Sequence, residues 1–198
     1  MIHVLCADIS RVSPERYEQL YAEATEERRK KADSLSRQED KLRCLTCDAL
    51  LRAALGREDY VAARTEAGKP YLPEDPGFHF NLSHAGCWVV LAHGGSPVGV
   101  DVEEHRKKAN ISGLCRRYFT EDEQGYVTQD PENRFYRIWT AKESYLKFLG
   151  TGLQKDLRSF SVLSPEPGIH YVNHPLSEGY TLTLCTTETD VTFEVMSL

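Results

Sequence analysis

Two carboxylates, Asp101 and Glu103, stand two residues apart in Val98-Gly99-Val100-Asp101-Val102-Glu103. Strict alternation reads as a β-strand, with the valines on one face and Gly99, Asp101 and Glu103 on the other. The two acids then lie roughly 6–7 Å apart along the strand. Bare carboxylates on an otherwise apolar strand cost free energy unless a cation or a hydrogen-bond donor offsets them. A hard divalent ion such as Mg²⁺ takes oxygen ligands and needs few from protein. A solvent-facing edge strand with two hydrated acids fits the same pattern. Gly99 leaves the acidic face open to close approach of a ligand. About forty residues further on, Trp139-Thr140-Ala141-Lys142-Glu143-Ser144-Tyr145-Leu146-Lys147 puts Glu143 and Lys147 four apart. On a helix those two share a face, where a plain surface pair is worth under about 1 kcal/mol.

The elements that must position these groups can be read in order. Ile2 to Ile9 is a strand. Ser13-Pro14 starts a helix, with Ser as N-cap and Pro at the first helical position. Thr25-Glu26-Glu27 starts a second, which carries Arg28-Arg29-Lys30-Lys31. Such a run is commonly a solvated helix face, and here it also stands ready for an anion. Ser36-Arg37-Gln38-Glu39 reads as a capping box for a long helix ending at Gly56. Cys44 and Cys47 on that helix form a CxxC, which without a second Cys/His pair reads as helix packing. Tyr60 to Ala63 is a short strand, and Glu66-Ala67-Gly68-Lys69-Pro70 is a turn with Lys69 at its tip. Phe78 to Ser83 alternates as a strand, so Ser83 and His84 fall at its end, before the turn at Ala85-Gly86. Trp88 to His93 returns as a buried strand.

Gly94-Gly95-Ser96-Pro97 is the best linker, dividing the chain into halves 1–95 and 96–198. After the acidic strand come a basic loop, Arg106-Lys107-Lys108, and a helix marked by Ile111, Leu114, Cys115 and Tyr118. A capping box follows at Thr120 to Glu123. Asp130-Pro131 starts the second long helix, which ends at Gly150. Phe160 to Leu163, Ile169 to Val172, Tyr180 to Cys185 and Val191 to Val195 read as strands. Each half therefore runs strand, helices, long helix, strands, with no residue-level repeat.

Composition sets limits. The chain is 40% hydrophobic and 27% charged, ordinary for a globular protein. No apolar run is long enough to span a membrane, and the N-terminus lacks the pattern of a signal peptide, so a cytoplasmic protein is expected. The six cysteines show no disulfide framework and read as reduced thiols. A net charge of −6 argues against nucleic-acid binding. A local basic cluster in an acidic chain suits a small anion better than a long polyanion.

Taken together, Gly99 to Glu103 and Trp139 to Lys147 resemble the paired signature of the 4′-phosphopantetheinyl transferases, of the longer surfactin-synthetase-activating (Sfp-like) type. The resemblance extends over Gly68-Lys69-Pro70, Phe80-Asn81-Leu82-Ser83-His84 and Tyr118-Phe119-Thr120, most of residues 25–163. It implies transfer of phosphopantetheine from coenzyme A to a serine of an acyl or peptidyl carrier protein, releasing adenosine 3′,5′-bisphosphate. It implies an α+β monomer, a pseudo-twofold duplication of two similar α/β halves with the active site between them. By motif position, Asp101, Glu103 and Glu143 would bind Mg²⁺, with Mn²⁺ as a substitute. Arg28, Lys31, Lys69, Ser83 and His84 would line the coenzyme A site, Lys147 would reach the pyrophosphate, and Glu143 would accept the serine proton. Cys44 stands where the family has a threonine near the 3′-phosphate, and a thiol is a weak donor. A metal-dependent phosphodiesterase or nuclease would use similar acids, but would want the third acid on a strand and a basic surface. A non-catalytic carrier-protein-binding module would leave the acids merely on the surface.

Overall fold

The computed structural model describes residues 1–106, 110–152 and 155–198, so Lys107 and Lys108 of the basic loop lie outside the described residues. Strand β1 (Ile2–Asp8) is followed by helices α1 (Pro14–Glu23), α2 (Glu26–Asp33) and α3 (Gln38–Leu55). Two short strands come next, β2 (Ala63–Arg64) and β3 (Pro70–Tyr71), then the hairpin β4 (His79–Ala85) and β5 (Trp88–Gly94). The second half runs β6 (Val98–Glu104), α4 (Ile111–Tyr118), α5 (Glu121–Val127), α6 (Pro131–Leu149), β7 (His170–His174), β8 (Tyr180–Thr186) and β9 (Val191–Met196).

The helix ends follow local chemistry. Ser13 accepts from the Arg16 N–H ahead of Pro14, and Asp130 accepts from the Asn133 N–H ahead of Pro131. The Thr120 N–H donates to Glu123 at 2.9 Å, the return half of the capping box. Both long helices stop at glycines in the left-handed region, Gly56 at φ 63° and Gly150 at φ 69°.

The strands form two principal sheets, β4-β5-β1-β9 and β6-β8-β7. They pack face to face. Ile2, Val4, Cys6, Trp88, Val90 and Ala92 of the first meet Val98, Val100, Val102, Leu182 and Leu184 of the second in one buried cluster. Helix α3 covers the outer face of the first sheet through Cys47, Leu50 and Leu51 against Val89, Leu91 and Phe80. Helix α6 lies on β6 and β8. The result is helix, sheet, sheet, helix, an α+β architecture in which each half contributes a sheet and a long helix. One strand crosses over: β9 leaves the second half and pairs parallel to β1, Ile2 opposite Val191.

Four local expectations change. Helix α3 begins at Gln38 with Arg37 as N-cap and no side-chain cap, so Ser36 does not close a capping box. Its first turn instead carries Glu39 and Asp40, whose charge suits the exposed N–H groups there. Strand pairing near Tyr60 is confined to Ala63 and Arg64, and the Tyr60 side chain instead donates its hydroxyl hydrogen to Asp48 at 2.7 Å. Phe160 to Leu163 is not a strand. Its backbone is satisfied by side chains: Lys142 Nζ donates to the Leu157 and Phe160 carbonyls, and Glu123 accepts from the Val162 N–H. Lys142 and Glu123 are themselves a fully buried ion pair at 2.8 Å. Finally, Gly99 does not hold space for a ligand. Helix α6 fills it: a Cβ at Gly99 would lie 2.0 Å from the Ser144 carbonyl oxygen and 2.3 Å from the Phe148 nitrogen.

The six thiols are unbridged. Cys44 packs with Leu20 and Leu45 while Cys47 packs with Leu50 and Leu72, so the CxxC is helix packing.

Two outcomes follow from the packing. Gly99→Ala must push α6 away from β6, and urea denaturation should show a loss of roughly 1–3 kcal/mol or more. Gly95→Ala, where nothing lies within 4 Å, should change stability by less than about 0.5 kcal/mol. The second concerns acid. His93 stacks between His3 and Phe78, each with ring centroids 5.3 Å away. Burial, then the neighbouring His3, hold the His93 imidazole down to about 4. The unfolded chain therefore binds a proton that the folded chain refuses, so this contribution to stability is lost as pH falls from about 6.5 to about 4. Because the ring is partly exposed, the loss should be roughly 1–2 kcal/mol. Melting temperatures of His93→Phe should fall less steeply over that interval than those of the parent.

Candidate active site

Strands β4 and β6 are edge strands of different sheets, and they meet through side chains instead of a backbone ladder. Asn81 Oδ1 accepts from the Val100 N–H at 2.8 Å, and Ser83 Oγ accepts from the Val102 N–H at 3.2 Å. Asn81 and Ser83 alternate with Phe80 and Leu82 along β4, so the apolar side chains go to the α3 face and the polar ones to the seam.

Asp101 lies at this seam, 5% exposed. Its Oδ1 accepts from Ser83 Oγ at 3.0 Å and from Lys147 Nζ at 2.6 Å. Its Oδ2 is buried and has no hydrogen-bond partner. Lys147 also donates to Ser83 Oγ and to the Val100 carbonyl, each at 3.0 Å. The partner of Lys147 is thus Asp101 across the seam, not Glu143 one turn away on its own helix.

Glu103, next along β6, accepts from Trp139 Nε1–H at 3.3 Å. Burial and then the Asp101 carboxylate hold Glu103 above the usual glutamate range. Glu143 is raised for the same two reasons in the same order, with Lys147 opposing and Glu103 adding to the rise. The three acids therefore feel one another. Among the described residues no three His, Cys, Asp or Glu side chains form a closed ligand set. An all-oxygen donor set with one unpartnered buried carboxylate oxygen nevertheless fits Mg²⁺, which takes one or two carboxylates and leaves the remaining positions to water and phosphate.

Two neighbouring cavities flank Asn81. One, of about 220 Å³, is lined by Lys69, Pro70, Asn81, Glu143 and Lys147. The other, of about 230 Å³, shares Pro70 and Asn81 and is lined by Arg28, Lys31, Arg64 and His84. The fold thus brings Arg28, Lys31 and His84 together from α2 and β4. Arg28 is anchored: its Nε is 3.8 Å from Asp48 Oδ1, a fully buried carboxylate that also holds Thr25, Arg52 and Tyr60. Surrounding protein, then Arg43 and Lys147, hold the His84 imidazole below its ordinary range. Lys69 takes a different position. Its Nζ donates to the carbonyls of Lys147, Phe148 and Val98 at 2.6, 3.1 and 3.3 Å, closing the C-terminal end of α6. Burial lowers the Lys69 ammonium to about 8. Cys44 does not line the basic cavity; its thiol faces the Arg28 carbonyl at 3.9 Å. The residues that sequence reasoning passed over are Asn81, Asp48 and Arg64. Only Asn81 left a signal, as a polar position alternating with aromatic and aliphatic ones.

The site thus sets carboxylates beside a basic cavity, on a two-sheet α+β scaffold with a long helix across the seam. The chain matches the sequence profile of the 4′-phosphopantetheinyl transferase superfamily over residues 97–193. It matches the profile of the 4′-phosphopantetheinyl transferase N-terminal region over residues 11–96. It is 32% identical to the 4′-phosphopantetheinyl transferase ffp of Bacillus subtilis, an alignment covering 90% of this chain and 89% of that protein. It is 33% identical to 4′-phosphopantetheinyl transferase Sfp of Bacillus subtilis (strain 168), covering 79% and 74%. Against 4′-phosphopantetheinyl transferase psf-1 of Bacillus pumilus the identity is 37%, covering 58% and 50%. The chain belongs to the 4′-phosphopantetheinyl transferase superfamily and is an enzyme of that class.

The seam makes a stability prediction. Lys147→Met leaves Asp101 charged, buried and without its cation, which costs more than removing a surface pair. Because Lys147 is 28% exposed, the loss should be roughly 1–3 kcal/mol by chemical denaturation. Asp101→Asn should cost less, since the amide keeps the shape and sheds the charge. A double-mutant cycle between positions 101 and 147 should give coupling above about 1 kcal/mol, and one between 143 and 147 less than that.

Proposed function

We propose that the enzyme transfers the 4′-phosphopantetheine group of coenzyme A to a serine hydroxyl of an apo acyl or peptidyl carrier protein, with Mg²⁺, releasing adenosine 3′,5′-bisphosphate. The observation that carries this reading is the unpartnered carboxylate oxygen of Asp101 at a seam that opens into a basic cavity. Asp101, Glu103 and Glu143 would hold the ion. When bound, Mg²⁺ supplies polarisation of the phosphoryl oxygens and neutralises charge on the leaving phosphate. The remaining work falls to side chains. Arg28, Lys31 and His84 take the adenosine-side phosphate, and Lys69 fixes the end of α6. Lys147 places a fixed positive charge beside the pyrophosphate.

In the transfer step the serine oxygen forms a bond to the phosphorus that carries pantetheine, and the bond from that phosphorus to the bridging oxygen breaks. The electron pair leaves with adenosine 3′,5′-bisphosphate, and Glu143 accepts the serine proton directly or through water. Burial moves Glu143 upward toward working pH, which suits a general base. The two halves of one chain, 1–95 and 96–198, supply both sides of the seam, so the working form is a monomer. Among the described residues no helix is long and apolar enough to cross a membrane, and we place the reaction in the cytoplasm.

The test is incubation with coenzyme A, Mg²⁺ and an apo carrier protein, read by intact mass. A single phosphopantetheine adduct on the carrier, lost on adding a chelator, is the expected result. Asp101→Asn and Glu143→Gln should each slow the adduct by roughly 10²–10³-fold while melting near the parent temperature. No adduct from the parent enzyme would overturn the assignment.

A further inference from the structure

The motif resemblance puts Lys69 at the donor, yet its ammonium has no N–H group left for one. A lysine carries three donors. Those of Lys69 go to the carbonyls of Val98, Lys147 and Phe148. Lys147 and Phe148 lie in the last turn of α6, where carbonyls lack partners within the helix and a positive charge is favourable. Val98 is the first residue of β6. A single side chain from the first half therefore ties the end of α6 to the start of β6. Those two elements carry all the groups proposed for the chemistry, Glu143 and Lys147 on the helix and Asp101 and Glu103 on the strand.

The turn that carries Lys69 is seated closely. The Thr65 N–H donates to the Lys69 carbonyl at 2.9 Å, and the Lys69 N–H donates to Thr65 Oγ1 at 3.1 Å. Two glycines after α6 make room for the turn. A Cβ at Gly150 would lie 2.9 Å from Lys69 Cδ, and one at Gly152 would lie 3.3 Å from the Ala67 carbonyl oxygen. Glu143 and Lys147 of α6 line the same cavity as Lys69, and Asp101 of β6 is taken by Lys147. From β8 the Cys185 thiol acts on Lys69, itself pushed up to about 12 by burial and so uncharged. Burial, which disfavours the charged form, is what lowers the ammonium to about 8.

We propose that Lys69 is a positioning residue of the transfer step: its ammonium clamps the last turn of α6 onto β6 and so sets Glu143 and Lys147 against Asp101 and Glu103. It does not touch the donor. The inference rests on the transferase reading above and adds to it a clamp supplied by the opposite half of the chain. Loosening the clamp slows the chemical step and leaves donor binding nearly unchanged.

Two measurements test the clamp, one with turnover and one without. In the transfer assay, Lys69→Met keeps the stem and loses the ammonium. It should lower kcat by roughly 10–10²-fold with KM for coenzyme A within about twofold. The neutral amine keeps two N–H groups and no charge, so the parent kcat should fall as pH rises through about 8. Lys69→Arg stays charged and should move that fall to higher pH. Hydrogen exchange read by mass spectrometry needs no turnover, and the last turn of α6 should exchange roughly tenfold faster or more in Lys69→Met. A raised KM for coenzyme A at unchanged kcat would make Lys69 a donor ligand and overturn the clamp. An unchanged kcat with only a lower melting temperature would reduce Lys69 to a plain helix cap and overturn it too. If Lys69→Met did not fold, coincident pH profiles of the parent and Lys69→Arg would have the same force. If the parent transferred nothing but exchange in α6 still depended on Lys69, the clamp would stand and the transferase reading would fall.

Discussion

Asp101 is a buried carboxylate owned by one half of the chain and held by both. Ser83 comes to it from the first half and Lys147 from the second, while its other oxygen is left without a partner. Burying that charge is costly, and one lysine and one hydroxyl offset only one of its two oxygens. The arrangement therefore leaves one buried carboxylate oxygen unpartnered at the point where the two sheets join. Glu103 and Glu143 feel that charge, each pushed toward its protonated form by burial and then by Asp101.

The rest of the architecture holds this point in place. Edge strands β4 and β6 would each present unpaired backbone groups; on β6 the Asn81 and Ser83 side chains accept from two N–H groups, and Lys69 and Lys147 donate to two carbonyls. Gly99 lets α6 come down onto β6 until backbone nearly touches backbone, which brings Glu143 and Lys147 within reach of the acidic strand. Lys69 closes the far end of that helix, and the buried Lys142–Glu123 pair anchors its middle to α5 and to the segment around Phe160. Strand β9 then returns to the first sheet and ties the end of the chain to its beginning.

Charge is sorted along the seam. The carboxylates gather where β6 meets α6, and Arg28, Lys31 and Arg64 gather in the adjoining cavity under α2 and β2. A ligand carrying two separated phosphate groups matches that layout better than a uniform polyanion, which suits a chain of net charge −6.

Much of this could be read from residue order alone. Alternation around Asp101 and Glu103, the Pro and Gly signals bounding the long helices, and the four-residue spacing of Glu143 and Lys147 depend only on local geometry, so they survive folding unchanged. Local pattern could not reveal which partner each polar group would choose. Lys147 passes over Glu143 for Asp101, forty-six positions away, and Lys69 spends its charge on helix carbonyls. The segment at Phe160 looks like a strand, yet Lys142 and Glu123 satisfy its backbone in place of a neighbouring strand. Gly99 reads as an opening for a ligand and proves to be the seat of a helix. Arg64 carries no motif, and it joins Arg28 and Lys31 in the lining of one cavity only in the folded chain. In each case the sequence determines what a residue can bond to, while the competition among partners is decided by distance, and distance exists only once the sheets have packed.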